Sequence, residues 1–361
     1  MNEETAMTND RTVVGGVDTP KDLQVAAGVD AHDRVLGSEC FATTRHGYKQ
    51  MLAWMRSLGE LARVGVECTG TYGAGLLRDR QPAGVTVLEV TTPDKSDRRK
   101  RGKDDTLDAY NAAHAAFAGV RPVTPKTRDG MIESLRTLKA CRKTAIKARR
   151  VALPWIQSTI VGAPDELRES LRKMTRMPLI RTLAALRPDL TGYRDLVTAY
   201  RIAFKSLARR YLERHDEIAD LDVMIAAMVD ELAPDLVARK AIGYESASPL
   251  LLTAGDNRDR FRSEASFAAR CGASPGPASS GQTPRHRLNR GGDRAAHSAW
   301  HIIAIGRLRT DPRTQAYVEK KVREGPSKLE AIRCLKRYLA REVYAILRNR
   351  NRKIAPSPIA A

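Results

Sequence analysis

The strongest constraint on this chain is the alternation of short apolar runs and amphipathic segments in its first 110 residues. Thr12–Asp18, TVVGGVD, reads as one buried strand, and Leu23–Val29 and Val35–Glu39 can pair with it in succession after a turn at Thr19–Asp22. A helix is predicted from about Gly47 to Leu61, because Tyr48, Met51, Leu52, Met55 and Leu58 share one face. Arg63–Glu67 then reads as a strand ending in an acid, Cys68–Gly75 as a glycine-rich turn into a helix, and Gly84–Val90 as a further strand. A helix opens near Asp105. Strands and helices in this order specify a mixed α/β sheet.

Acids recur at the ends of these elements. In Gly102–Tyr110, GKDDTLDAY, Asp105 and Asp108 are three residues apart and share a helix face. Carboxylates so placed suit a helix N-terminus, whose free N–H groups stabilise them, and equally suit a shared Mg²⁺, since hard cations take oxygen ligands. Asp18 ends the first strand, either as a turn residue beside Pro20 or as a partner to that pair, and Glu67 ends another. Strand-end acids on a mixed sheet, with an i, i+3 pair on a helix laid across the same edge, form the layout of a ribonuclease H-like nuclease core. Asp104 is an extra acid beside the pair, and Asp22 and Asp97 read as solvated charges. The glycine-rich turn lacks the spacing and lysine of a P-loop.

Charge points toward the same chemistry. Lys and Arg outnumber Asp and Glu 62 to 42, a formal net charge of +20, which favours a polyanionic partner, nucleic acid first. Part of that excess reflects a general preference for Arg and Ala. At 361 residues and 42% hydrophobic content the chain is long enough for two or three domains with real cores. Cys40, Cys68, Cys141, Cys271 and Cys334 are far apart, which argues for a reducing compartment and no structural zinc. No apolar run approaches a membrane span and no leader opens the chain, so a cytoplasmic protein is expected.

From Thr127 to Leu153 the sequence is helical and basic. Met131, Leu135, Leu138 and Ala145 mark one face, and Arg136, Lys139, Arg142, Lys143, Lys147, Arg149 and Arg150 the rest. These cations form either a solvated face or a track for a phosphate backbone. Pro154, Pro164, Pro178 and Pro188 are expected to break the next stretch into short turns. Tyr200, Phe204, Leu207, Tyr211, Ile218, Leu221, Ile225, Met228 and Leu232 then follow steps of three and four, interrupted at Arg214. That is a coiled-coil seam, able to close within the chain or between chains. Ser274–Arg294, SPGPASSGQTPRHRLNRGGDR, is either a flexible linker or a loop that sets the hydroxyls of Ser279 and Ser280 beside Arg285, Arg287, Arg290 and Arg294, cations able to hold a phosphate. His286 and His297 read as phosphate contacts or surface residues. Ser298–Leu308 and Lys328–Leu347 are amphipathic helices.

VGGVDTPKD, VECTGTYGAG and GKDDTLDAY resemble the three acidic motifs of the DEDD transposases of bacterial insertion sequences, the insertion sequence 110 family. Those motifs have the forms G-x-D-x-x-K-D, E-x-T-G-x-Y-G and K-x-D-x-x-D-A, and they fall here on Asp18, Glu67, Asp105 and Asp108. The step Ser280–Gly281, followed by HRLNRGGDR and SAWHII, is similar to the C-terminal domain of the same family. One departure is Ala241–Ser246, AIGYES, where the family carries a turn of the form I-P-G-x-G. The resemblance spans about Val13–Tyr110 and Ile242–Leu347.

The resemblance implies a DNA transposase and recombinase that moves its own insertion element. It implies an α/β ribonuclease H-like (RuvC-like) domain over 12–125, an α-helical coiled-coil region over 126–235 and a mainly α C-terminal transposase domain over 236–348, between disordered tails at 1–11 and 349–361. Asp18, Glu67, Asp105 and Asp108 are implied to hold Mg²⁺, with Mn²⁺ the other oxygen-liganded choice. Ser280, with Ser279 as fallback, is implied to attack a DNA phosphate and leave a 5′-phosphoserine link. The implied partners are donor and target DNA, a bridge RNA, and further copies of the chain as a dimer or tetramer, at the bacterial nucleoid. Two other readings are a RuvC-like junction endonuclease that uses water, and a nucleic-acid scaffold without catalysis.

Overall fold

The computed structural model describes residues 12–80, 84–90, 104–119, 124–128, 130–257, 260–277, 286–287, 289 and 291–353. The chain forms two compact units, Met1–Glu133 with Thr253–Arg270, and Ser134–Leu252 with Cys271–Ala361.

The first unit is built on β1 (Thr12–Asp18), which pairs antiparallel with β2 (Leu23–Val29) on one side and parallel with β4 (Glu60–Val66) on the other. β3 (Val35–Ala42) lies antiparallel on β2, and β5 (Val87–Glu89) parallel on β4, giving the order β3-β2-β1-β4-β5. This mixed sheet, with helices on both faces, is consistent with the expected ribonuclease H-like arrangement. Helices cover both sides of β1, which is why TVVGGVD is apolar without alternation. α1 (Arg45–Ser57) and α2 (Ala74–Arg80) bring Tyr48, Met51, Met55 and Leu76 onto Val17, Ala26, Val64 and Val66. α3 (Asp105–Ala118) brings Ala109, Ala113 and Ala116 onto Val14, Val25, Ala27 and Val29 of the same sheet.

Boundaries differ from expectation where the backbone turns. α1 stops at Ser57 rather than Leu61, because Gly59 takes a φ of 151° and Glu60 already begins β4. β4 therefore starts three residues before the predicted Arg63, and Glu67 lies just past its end. β3 runs on to Ala42, and β5 is shorter than Gly84–Val90.

Among the described residues the second unit is helical apart from one small ribbon. Its helices are α4 (Met131–Val161, entered from the first unit), α5 (Asp165–Leu171), α6 (Arg176–Ala185), α7 (Leu196–Leu232), α8 (Pro234–Val237) and α9 (Tyr244–Ala254, which ends in the first unit). After α10 (Glu264–Arg270, in the first unit) come the ribbon β6 (Gly276–Pro277) with β7 (His286–Arg287), then α11 (Arg294–Thr310), α12 (Pro312–Arg323) and α13 (Lys328–Lys353). Pro154 was expected to break α4 and does not. It sits on the exposed side, where water can bond the carbonyl that Pro leaves without an N–H.

α4 and α7 run antiparallel. Arg142 meets Asp222, Arg149 meets His215 at 3.1 Å, and Tyr200 donates to the Gly162 carbonyl at 2.6 Å, so positions rise along one helix as they fall along the other. The residues α7 buries are Phe204, Ala208, Tyr211, Ile218, Leu221, Ile225, Val229 and Leu232. Where Arg214 interrupts the pattern, His215 takes the place in the seam and stacks on Tyr211, ring centroids 6.3 Å apart. Phe204, Ala208 and Tyr211 pack against Ala152, Ile156 and Ile160 of α4, so this part of the seam closes within the chain. Among the described residues no helix is long and apolar enough to cross a membrane.

Candidate metal centre and nucleic-acid interface

The acid centre is assembled by close helix–sheet packing. A Cβ on Gly16 of β1 would run into the Ala109 carbonyl oxygen and the Ala113 nitrogen of α3, and one on Gly65 of β4 into the Ala112 carbonyl. Two glycines facing an alanine stripe thus let the α3 backbone lie directly on the sheet. On the opposite face Gly15 makes room for the Met55 side chain of α1, whose Sδ lies 2.8 Å from where a Cβ would be.

That approach carries the start of α3 to the end of β1. Asp104 is the N-cap, its carboxylate accepting from the Thr106 N–H at 3.0 Å, so the extra acid has a structural task and stands exposed. Asp105 and Asp108 follow in the first turn, and Asp108 is 3% exposed. One carboxylate oxygen from each of Asp18, Asp105 and Asp108 lies within 4.8 Å of the others. Two ionised carboxylates about 4 Å apart repel by about 4 kcal/mol at an effective dielectric of about 20, which a divalent cation would offset. Three converging hard oxygen donors fit Mg²⁺ or Mn²⁺.

Glu67 stands beside this group and is not one of the three. Val17 pairs with Val66 across β1 and β4, so Glu67 comes next in register to Asp18. Its N–H donates to the Val17 carbonyl at 3.1 Å, its carbonyl accepts from Thr19 Oγ1 at 3.1 Å, and the residue is 4% exposed. Glu89 ends β5 opposite Val66, an acid the sequence reading passed over. It faces Arg260 at 3.7 Å and Arg270 at 3.5 Å, so its charge is already matched. Arg260 also donates to the carbonyls of Thr124 and Thr253, and Asn257 to that of Pro125, which fastens Thr253–Arg270 to the first unit.

The predicted phosphate contacts separate into groups. Lys139 bonds Glu245 at 2.7 Å, and Arg142 pairs with Asp222 and with Glu245 at 3.1 Å. Arg149 lies over the Tyr211 ring at 5.8 Å. Arg136 is half-buried, while Lys143, Lys147 and Arg150 are exposed. Arg287 is exposed on β7, and Arg294 is exposed at the start of α11, behind the cap Asp293. Ser279, Ser280, Arg285 and Arg290 lie outside the described residues.

A mixed sheet with carboxylates gathered at the ends of its parallel strands is consistent with the ribonuclease H-like class of metal-dependent domains. A family model of the IS110 DEDD type, described as transposase, matches residues 15–160, and a second, described as transposase of the IS116/IS110/IS902 family, matches residues 236–319. The chain is also 28% identical over 162 residues to the insertion element IS110 uncharacterized 43.6 kDa protein of Streptomyces coelicolor. That match covers 44% of this chain and 38% of the relative. The chain belongs to the IS110 family of DEDD transposases.

Proposed function

We propose that this chain is the transposase of an insertion element and cuts and rejoins DNA at two kinds of site. The observation that carries the reading is the convergence of Asp18, Asp105 and Asp108, placed by glycine–alanine packing on matched family segments. These three, with Glu67 next to them, would hold Mg²⁺ or Mn²⁺, which supplies charge stabilisation at a phosphate in polynucleotidyl transfer.

The nucleophile in this reading is Ser280, with Ser279 as fallback. Its oxygen bonds to the DNA phosphorus, the bond to the 3′ oxygen breaks, and the serine proton ends on the departing strand as a 3′-hydroxyl. A 3′-hydroxyl of the other DNA then attacks the 5′-phosphoserine and restores the serine. Arg285, Arg287, Arg290 and Arg294 neutralise the phosphate, and Lys143, Lys147 and Arg150 are the α4 cations most available for a backbone. A bridge RNA that pairs with donor and target DNA would read sequence while the protein reads backbone, at the bacterial nucleoid. Acids of one protomer and the serine of another would share a site in a dimer or tetramer. Mixing an acid-dead with a serine-dead variant should then restore activity.

The deciding experiment is covalent trapping on a denaturing gel, with protein, element-end RNA, labelled donor and target DNA and Mg²⁺, beside Ser280→Ala. Label that migrates with the protein and vanishes in the variant supports serine recombination. Metal-dependent cleavage without such a band, unchanged by the variant, makes this a water-using nuclease.

A further inference from the structure

The second unit contains a lysine where its packing calls for a hydrophobe. Ile332, Leu335, Leu339, Ala340 and Val343 are the buried face of α13, and Lys336 lies among them at 6% exposure. Among the described residues no carboxylate lies within 4.0 Å of its ammonium, and its polar neighbour is His297 Nε2 at 3.4 Å, on the first turn of α11. Burial, then Arg333, holds the Lys336 ammonium below the usual lysine range, and burial, then Lys336 and His301, lowers His297. A buried cation without a counter-charge is costly, so its retention calls for an anion.

The surroundings of Lys336 are polar and narrow. Lys336 and His297 line a cleft with Gly272–Pro275, Arg287, Asn289 and Arg333 whose enclosed volume is about 10 Å³, room for a single oxygen atom. Gly272 in that wall takes a φ of 68°, a left-handed backbone conformation that favours glycine. Arg333 is matched by Glu330 at 3.4 Å, whereas Arg287 is exposed on β7.

We propose that one phosphate of a DNA strand sits at the mouth of this cleft, with Lys336 as its central cation and His297 and Arg287 as further donors. The inference rests on and deepens the proposed transposase reading, since it adds a phosphate contact beside β6 and β7, the strands that flank Ser279 and Ser280 in the sequence. It does not depend on where the nucleophile is.

The test uses the full chain without added metal or RNA. The His297 ring resonance, assigned by its loss in His297→Gln, is followed during titration with inorganic phosphate and with a short DNA duplex. Both should move it saturably in the native protein and in Lys336→Arg. Lys336→Met should abolish the response, bind the duplex about ten-fold more weakly and flatten the slope of log affinity against log salt by about one. A native resonance indifferent to both anions overturns the proposal, and so does Lys336→Met with native affinity and slope. Response to phosphate but not to DNA overturns the nucleic-acid assignment. If Lys336→Met loses its cooperative melt, Arg287→Ala decides, and native duplex affinity and slope in that variant count against the site. Loss of the trapped covalent product in Ser280→Ala is read separately, so either idea can fail while the other stands.

Discussion

Two clusters of like charge in this chain are built in opposite ways. At the end of β1, Asp18, Asp105 and Asp108 are drawn toward one another by a helix that cannot sit elsewhere, because Gly16 and Gly65 fit its alanine stripe. Along α4, Lys139 and Arg142 are each brought to acids, and Arg149 to an aromatic face. The first arrangement gathers three hard oxygen donors, as a bound cation requires; the second stabilises a helix pair. Density of charge in a sequence therefore does not identify a site. What identifies it is whether folding brings the charges together with their own kind or with the opposite one.

The contrast predicts opposite effects on activity and stability. Asp108→Asn should reduce metal-dependent DNA cleavage roughly 10³-fold or more while changing the melting temperature little, because it keeps the shape of the side chain and removes one charge from the carboxylate cluster. Cleavage and calorimetry on the same preparation check this. An active variant, or one that melts far lower, would make the acids structural and erase the difference between the clusters. Gly16→Val should cost about 3 kcal/mol, since the added carbons meet α3 backbone, and it should also lower cleavage by displacing Asp105 and Asp108 from Asp18. Denaturant unfolding beside a Mg²⁺ titration separates the two losses.

On α4 the order reverses. Arg142→Ala should lower stability by about 1–2 kcal/mol, because its guanidinium is largely covered and has two acidic partners, and should leave the salt dependence of DNA binding unchanged. Lys147→Ala should stay within about 0.5 kcal/mol of the native stability and flatten the salt slope by about one. If Arg142→Ala alters the slope and Lys147→Ala does not, the paired cations are the DNA track and the exposed ones are bystanders.

How much of this was legible follows from how local each signal is. β1 and β2 carry their own apolar pattern and match the observed bounds, and the i, i+3 spacing of Asp105 and Asp108 is a property of nine residues. The acids that match α4 come from Asp222 and Glu245, 80 and 103 positions from Arg142, so no window around the helix contains them. Pro154 looked like a break because the sequence does not say which side of a helix faces water. Glu89 was missed for a similar reason, since Arg260 and Arg270 reach it only after Thr253–Arg270 folds back onto the first unit. Lys336 looks like any other cation of an amphipathic helix until α11 covers it with His297.

The smallest effect expected is a pH dependence at that pair, and it tests whether a cation cluster can behave like the acid centre in reverse. His297 faces Lys336 and His301, with Arg333 and Arg287 on the same cleft, and its folded-state proton affinity lies below the ordinary histidine value. Between that lowered value and about 6.5 the unfolded chain binds more protons than the folded one, so stability falls as pH drops through this window. A bound phosphate favours the protonated ring, so affinity for inorganic phosphate should rise over the same interval. Melting curves at stepped pH, with and without phosphate, give both slopes. Opposite signs mean that the cleft is a cation cluster waiting for an anion, the mirror image of the three carboxylates. Equal slopes mean that Lys336 and His297 are compensated within the fold, as the α4 cations are.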